Sequence, residues 1–544
     1  MKLRVILLLD SFIVSAWVLE AVEQVLKEKN AEIVLAAINQ KPKSSGKKSP
    51  FLYRLYRAID RKLFLITPDA FAQKDIRNIK GWDIPSIPIT PIQKKYSDYF
   101  QKEDLDKIST INPDIILRFG FRILRGKILE IPKLGVWSFH HGDNQFYKGG
   151  PPGFWEVMLK KETTGVVLQR LSERLDDGQV LYKSFSQTDP LSVQRNANKI
   201  FWLSSFIIPR VIRQIKTSGI DKWEKELHNN LFPIKSEVPL LTPPALVKMA
   251  ILASELTFRN IFRKINERFK KPYWEIVVAR NERNILSNLS VFNFHSIKPP
   301  KGLHSKGSFW ADPFPIEKDK KTWVFFEDFK YHSNKGKISV AEWDGKKMID
   351  PKDVLEEEWH LSYPFIWVEN NEFYLIPESG EIGKLFIYKA LEFPFKWTKV
   401  EVFFEGEAYD PTLIKVEDRY WLFVNQRPHK GTSAFVELYA YYSASLLEPK
   451  WIAHSLNPIV SDVNSSRPAG RIFQKGGKLF RPAQDSGLRY GHKVKIQEIL
   501  NLTPEEYKEA TVAVLEPDNS KNQLGTHTFN FTDEWVFSDA YYRK

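Results

Sequence analysis

Apolar and polar positions follow different rhythms in different parts of this chain. Leu3–Leu9 is apolar but for Arg4 and reads as a buried strand. Asp10-Ser11 forms a turn, Ala16–Lys29 carries apolar residues at helical spacing, and Ile33–Ile38 is a second run. Buried strand, amphipathic helix, buried strand predicts a doubly wound sheet, with ligands beyond the carboxyl ends of its strands. Ile115–Leu117, Val136–Phe139 and Val166–Leu171 are short β-branched and aromatic runs that predict further strands. Helical spacing takes over at Ser192–Ile215, with a kink expected at Pro209. An irregular, Pro-containing linker is expected over 217–244. A helix then starts at Thr242-Pro243-Pro244 and runs to Phe269.

From Trp274 onward the pattern is strand, turn, strand, and it repeats. Ala311-Asp312-Pro313-Phe314 precedes Trp323–Asp328, and Ser362–Phe365 precedes Phe373–Glu378. Tyr409–Thr412 precedes Tyr420–Val424, Arg467–Ala469 precedes Lys478–Pro482, and His527–Phe529 precedes Trp535–Phe537. Multi-stranded repeats about 50 residues long predict a propeller. Here the expectation is five blades, with Trp274–Ala279 closing the ring against the C-terminal one. The fold class is thus multidomain α/β + β: a doubly wound α/β domain over 1–216, a linker with a basic amphipathic helix over 217–271, and a five-bladed β-propeller over 272–544. The repeat phase sets Asp312, Tyr363, Asp410, Arg467 and His527 around one mouth of the propeller, with Glu327 and Glu378 near the ends of the following strands. Such a funnel suits carbohydrate hydroxyls and acidic groups. The bland alternative is that these carboxylates cap backbone N–H groups and pin neighbouring blades.

Composition narrows the chemistry. The 544 residues contain no Cys, which excludes disulfides, thiolate nucleophiles and Cys-ligated metals, and no metal site is expected. A net charge of +14 favours an anionic partner. The run Lys41–Lys48 reads as a solvated loop or, more sharply, as a flap over a phosphorylated substrate. No G-x-G-x-x-G follows the first strand, which disfavours a dinucleotide. No run is long enough to span a bilayer, and Val5–Leu9 is too short for a signal peptide. The expected location is cytoplasmic, possible contact being with the inner membrane face: the end of the 242–269 helix interleaves Arg259, Arg263, Lys264 and Arg268 with Phe258, Ile261, Phe262 and Ile265, a pattern that suits an anionic membrane surface. The favoured reading of that helix is nevertheless a bridge between domains with its apolar face buried.

Asp114–Leu181 carries the densest candidate chemistry. Ser138, His140, His141 and Asn144 close one predicted strand, and Asp176-Asp177-Gly178 turns after another. Imidazole and carboxylate at neighbouring strand ends are a general-base pair. The stretch resembles the 10-formyltetrahydrofolate-dependent formyltransferases. Ser138-Phe139-His140 stands at their Asn-x-His and Tyr147-Lys148-Gly149 at their Tyr-x-Gly. Pro152 and Trp155 follow, and Thr164-Gly165-Val166-Val167 and Leu175-Asp176-Asp177-Gly178 complete the pattern. The resemblance implies a folate site formed by Phe119, Gly120, Ile123, Leu124 and Asp177. It also implies His140 as base, Asp176 as its orienting partner and Tyr147 and Lys148 shaping the acceptor site. The family's carbonyl-polarising Asn is Ser138 here. His141 or Asn144 replaces it, or the donor or acceptor differs, or the domain only binds.

The C-terminal half resembles five-bladed furanosidase-type glycosidases. It resembles more closely the N-terminal domain of plant glucosamine inositolphosphorylceramide transferases, through Ala311–Phe314, Gly336–Gly345, His360–Phe365, Ile376–Ser379 and Asp410–Ile414. The combined expectation is a formyltransferase that acts on an amino sugar, nucleotide sugar or glycan, with the propeller as carbohydrate grip. Nucleic acid is disfavoured as a partner. The alternative is a carbohydrate-binding or glycoside-cleaving propeller carried on a degenerate formyltransferase domain.

Overall fold

The computed structural model describes residues 2–41, 49–174, 178–229, 238–281, 289, 292–297 and 307–543. The chain divides into two compact units, Met1–Phe262 with Pro428–Ser433, and Arg263–Arg427 with Ala434–Lys544.

The core of the first unit is a seven-stranded sheet. Its strands are β1 (Leu3–Leu9), β2 (Ala31–Asn39), β3 (Ser86–Ile89), β4 (Ile115–Arg118), β5 (Val136–His140), β6 (Thr163–Arg170) and β7 (Gln179–Gln187). The order is β7-β6-β5-β4-β1-β2-β3. Strands β1 to β5 run parallel, and β6 and β7 are antiparallel at one edge. The chain winds outward in opposite directions from β1 and β4, so a crevice opens between their carboxyl ends. Alternation assigns the two faces. Trp137 packs with Leu7 and Leu117 in one core, Val136 with Ile6 and Ile116 in the other; Ser138 and His140 share the Val136 face.

Six helices matter for the site and surface: α1 (Ala16–Lys27), α2 (Phe51–Phe64), α3 (Val193–Ser204), α4 (Ile207–Ser218), α5 (Ile220–Asn229) and α6 (Leu246–Phe269). The expected kink at Pro209 is instead a break between α3 and α4. Pro209 lies in the first turn of α4, where its missing N–H removes no helical bond. The expected irregular linker contains α5, whose Trp223 is buried beside Trp137.

Among its described residues, the second unit holds five antiparallel sheets of four or five strands. Pro272–Arg280 pairs with Trp535–Arg543, so the first and last strands of the unit share one sheet. Tight turns set the registers: Asp319-Lys320, Asn370-Asn371 and Gly476-Gly477 each link two strands with positive φ at both residues, which matches strand twist. The repeated Pro marks a recurring irregularity. The ladder skips Asp312-Pro313, Tyr363-Pro364 and Asp410-Pro411, and the residue before each Pro has φ of 51°, 45° and 49°. Proline cannot donate to a ladder, so the strand bulges where it occurs.

Candidate functional site

Two buried polar centres emerge, one in each unit.

In the first unit, the turn after β4 lies against the turn after β1. The amides of Phe119 and Gly120 both donate to Leu8 O, at 3.0 and 2.9 Å. Gly120 is required there, because a Cβ would lie 2.3 Å from Asp10 N. Asp10 Oδ1 then accepts from Phe121 N at 2.7 Å, which holds Phe121 at φ 62°. Leu124 is buried, and Ile123–Leu124 forms a short strand.

Arg118, at the end of β4, ties this turn to β5. Its guanidinium donates to Arg122 O, Phe121 O and Ser138 Oγ at 3.0, 3.1 and 2.9 Å. Ser138 is therefore engaged as an acceptor. Two residues on, on the same face, His140 is buried at the strand end. Gly142 leaves the space into which His140 and Tyr147 reach: a Cβ there would lie 2.6 Å from Tyr147 OH and 3.2 Å from His140 Nε2. Tyr147 donates weakly to Glu156 Oε2 at 3.4 Å and His141 O at 3.5 Å. Burial raises the Glu156 carboxyl to about 7.

Asn144 is 1% exposed, and neither its amide oxygen nor its nitrogen has a partner among the described residues. A buried amide left unpaired at both atoms is expensive and asks for a partner. His141 lies in a different setting. Its ring stacks on Phe201 at 3.7 Å, and Trp17 meets both His141 and Phe119 edge-on. Burial, with His140 beside it, pushes His141 down to about 3, so its imidazole stays neutral. Lys148 stands apart, on a short strand paired with Leu240. Asp176 and Asp177 lie outside the described residues. Arg118 and Glu156 escaped sequence reasoning; Glu156 stands next to the Trp155 of the family pattern, and that adjacency was the available signal.

The second unit gathers its charged residues in the interior. Asp312, Glu327, Glu378, Asp410, Arg467, His527 and Asp539 are all buried. Carboxylates staple one sheet to the next through backbone amides. Asp312 N donates to Asp539 at 3.3 Å, Tyr363 N to Asp312 at 3.0 Å and Asp410 N to Glu378 at 3.1 Å. Arg467 binds Asp410 with two nitrogens and Glu378 with one, and its guanidinium faces the rings of Phe435 and Tyr490 at 4.9 and 5.0 Å. His527 contacts Asp539 at 2.6 Å and Asp312 at 3.4 Å. Burial opposes charge on His527, but Asp539 and Asp312 outweigh it and raise its pKa. Burial lifts Asp312 to about 6 against the pull of His527. Burial, with Asp312 and Glu378 nearby, raises Glu327 well above the carboxylate range. Burial with Asp410 does the same to Glu378. The centre thus sets carboxyl groups pushed upward by burial beside Asp539, which His527 pulls downward.

Comparison with known proteins gives each half a relationship. Residues 298–532 match the family model described as glucosamine inositolphosphorylceramide transferase 1, N-terminal. The rice (Oryza sativa subsp. japonica) glucosamine inositolphosphorylceramide transferase 1 is 37% identical over 209 residues, 38% of this chain and 28% of that protein. The bifunctional polymyxin resistance protein ArnA of Wigglesworthia glossinidia brevipalpis is 30% identical over 234 residues, 36% of each chain. The methionyl-tRNA formyltransferase of Clostridioides difficile is 40% identical over 84 residues, 15% of this chain and 27% of that one. The chain therefore spans well under half the length of each of these relatives. It combines similarity to formyltransferases with similarity to the N-terminal region of glucosamine inositolphosphorylceramide transferase 1.

Proposed function

We propose that the chain transfers a formyl group from 10-formyltetrahydrofolate to the amino group of a sugar in glycan or glycolipid synthesis. In this reading the five sheets are the blades of a five-bladed propeller, and that unit holds the carbohydrate. The observation that carries the reading is Asn144. It is a buried amide with both hydrogen-bonding atoms unmet, in the loop after His140, and it supplies the chemistry that Ser138 lacks at the family's Asn position.

10-Formyltetrahydrofolate would supply the formyl carbon when bound, and Phe119 and Gly120, in the turn at the crevice between β1 and β4, would hold it. His140 Nε2 takes the proton that the acceptor amine sheds. Asn144 Nδ2–H holds the oxygen on which negative charge grows, a role in which one donor is worth roughly 10²–10³ in rate. Ser138, held by Arg118, keeps the loop and strand end in register. Glu156, raised to about 7 by burial, meets Tyr147 OH and fixes the phenol beside His140.

A second reading rests on the other centre. Burial, with Asp312 among the nearby carboxylates, raises Glu327 well above the carboxylate range, and a raised acid beside a second carboxyl group is the equipment of glycoside cleavage.

Calorimetry of the full chain with 5-formyltetrahydrofolate, a stable analogue of the donor, separates the two. Binding with a matching rise in thermal midpoint is expected. Absence of both at millimolar ligand sinks the formyl-transfer reading, and release of reducing sugar from glycans would then favour the second.

A further inference from the structure

Helix α6 is apolar on two opposite faces. Met249, Leu252 and Leu256 are buried in a cluster shared with Phe154 and with Leu52, Tyr53 and Tyr56 of α2. Val247, Ile251, Phe258 and Phe262 are exposed, Phe258 by 70%. At about 100° per residue the two sets point in opposite directions. The expectation that this helix buries its apolar face as a bridge is thus corrected: one face is buried, the other is not. Phe258 and Phe262 stack at 6.4 Å and continue the exposed stripe down the helix. Helix α2 repeats the arrangement. Phe51, Leu55, Ile59 and Leu63 recur every four residues and are all exposed. Two helices that share one core cluster therefore each present an uncovered apolar stripe.

The charges on these helices select the occupant. Together they carry nine basic residues against three acidic ones. Lys62, Lys264 and Arg268 are exposed, whereas Arg263 pairs with Glu267 at 2.7 Å. A second copy seated across a two-fold axis would bring like charges together around the stripe. A bilayer with anionic headgroups accepts the aromatic stripe at acyl depth and the cations at headgroup level. No helix among the described residues is long and apolar enough to cross a membrane, so insertion would be in the plane.

We infer that α6, with α2 beside it, docks the chain on an anionic phospholipid surface, the exposed Phe and Ile side chains entering the interface. The inference does not depend on formyl transfer.

The test is co-sedimentation of the full chain with vesicles of phosphatidylcholine alone or with phosphatidylserine added. Several-fold more protein should pellet with the anionic vesicles, and added salt should reduce the difference. Phe258→Glu with Phe262→Glu should lower binding more than tenfold at an unchanged thermal midpoint, because both side chains are exposed. Val247→Ser with Ile251→Ser is the milder pair should the first not fold. Lys264→Glu with Arg268→Glu should erase the preference for phosphatidylserine. Equal pelleting with both vesicle types, or an apolar-face variant that pellets like wild type, overturns the proposal. So does a dimer in sedimentation velocity that the Phe variants abolish without any vesicle binding, which would assign the face to a second copy.

Discussion

Asn144 shows how far function departs from stability at a single residue. Its buried amide is unpaired, so removing it should not weaken the fold. Asn144→Ala is expected to lower formyl transfer by roughly 10²–10³ while the thermal midpoint holds or rises. Single-turnover rates and thermal unfolding measured on the same preparation check both halves; a fallen midpoint with an intact rate would make Asn144 structural. Glu156 behaves differently. Its folded pKa is raised from the ordinary 4.5 to about 7. The fold favours the protonated form, so this contribution is full below about 4.5 and is lost as pH rises through about 7. Glu156→Gln should flatten the thermal midpoint across that window. An unchanged pH profile would show that Glu156 is not the titrating group. Sequence reasoning found His140 because its spacing to the Tyr and Thr-Gly motifs is visible along the chain. It could not single out Glu156 or Arg118, since burial and the Arg118–Ser138 bond join residues on separate strands.

Among the elements, the strands were the most legible. Leu3–Leu9 appears as predicted, because Val5–Leu9 is a short apolar run ended by the Asp10-Ser11 turn, a length that suits a strand covered on both faces. The turn after β4 was legible as a motif, but its reason is tertiary: Gly120 packs against the backbone of Asp10. Gly120→Ala should therefore displace that turn and cost more than about 2 kcal/mol, the range for strained or overpacked buried positions. Gly81, with φ of 80° and open space around it, should tolerate Ala with a smaller loss. Urea unfolding of the two variants makes the comparison. Helix α6 was legible as a helix and misread as a surface. A sequence with two apolar faces does not say which of them meets the core; only Met249, Leu252 and Leu256 packing beside α2 decides it.

Across the whole molecule, the repeat carried the most information and the least about roles. It correctly aligned Asp312, Tyr363 and Asp410 as equivalent, and of its two readings the plainer one, carboxylates that cap backbone N–H groups and pin neighbouring sheets, is what the bonds of Asp312, Asp539 and Glu378 match. Arg467→Met should test how much the inner charges hold together. It strips buried Asp410 of its main cationic partner, and losing one member of such a pair costs about 3–5 kcal/mol. Lys415→Met, which removes the solvent-exposed Lys415 from its pair with Glu369, should cost far less. If calorimetric unfolding gives similar losses, the inner pair is screened and the stapling account fails.

The bulges at Asp312, Tyr363 and Asp410 have an evolutionary consequence. A residue outside the ladder contributes no register bond, so its side chain can be exchanged without re-registering the sheet. Yet the three sockets at one repeat phase carry the groups that join successive sheets, so exchange at one would unpair its neighbour. Relatives should therefore keep each socket residue together with its proline, and divergence should fall on ladder positions that face outward.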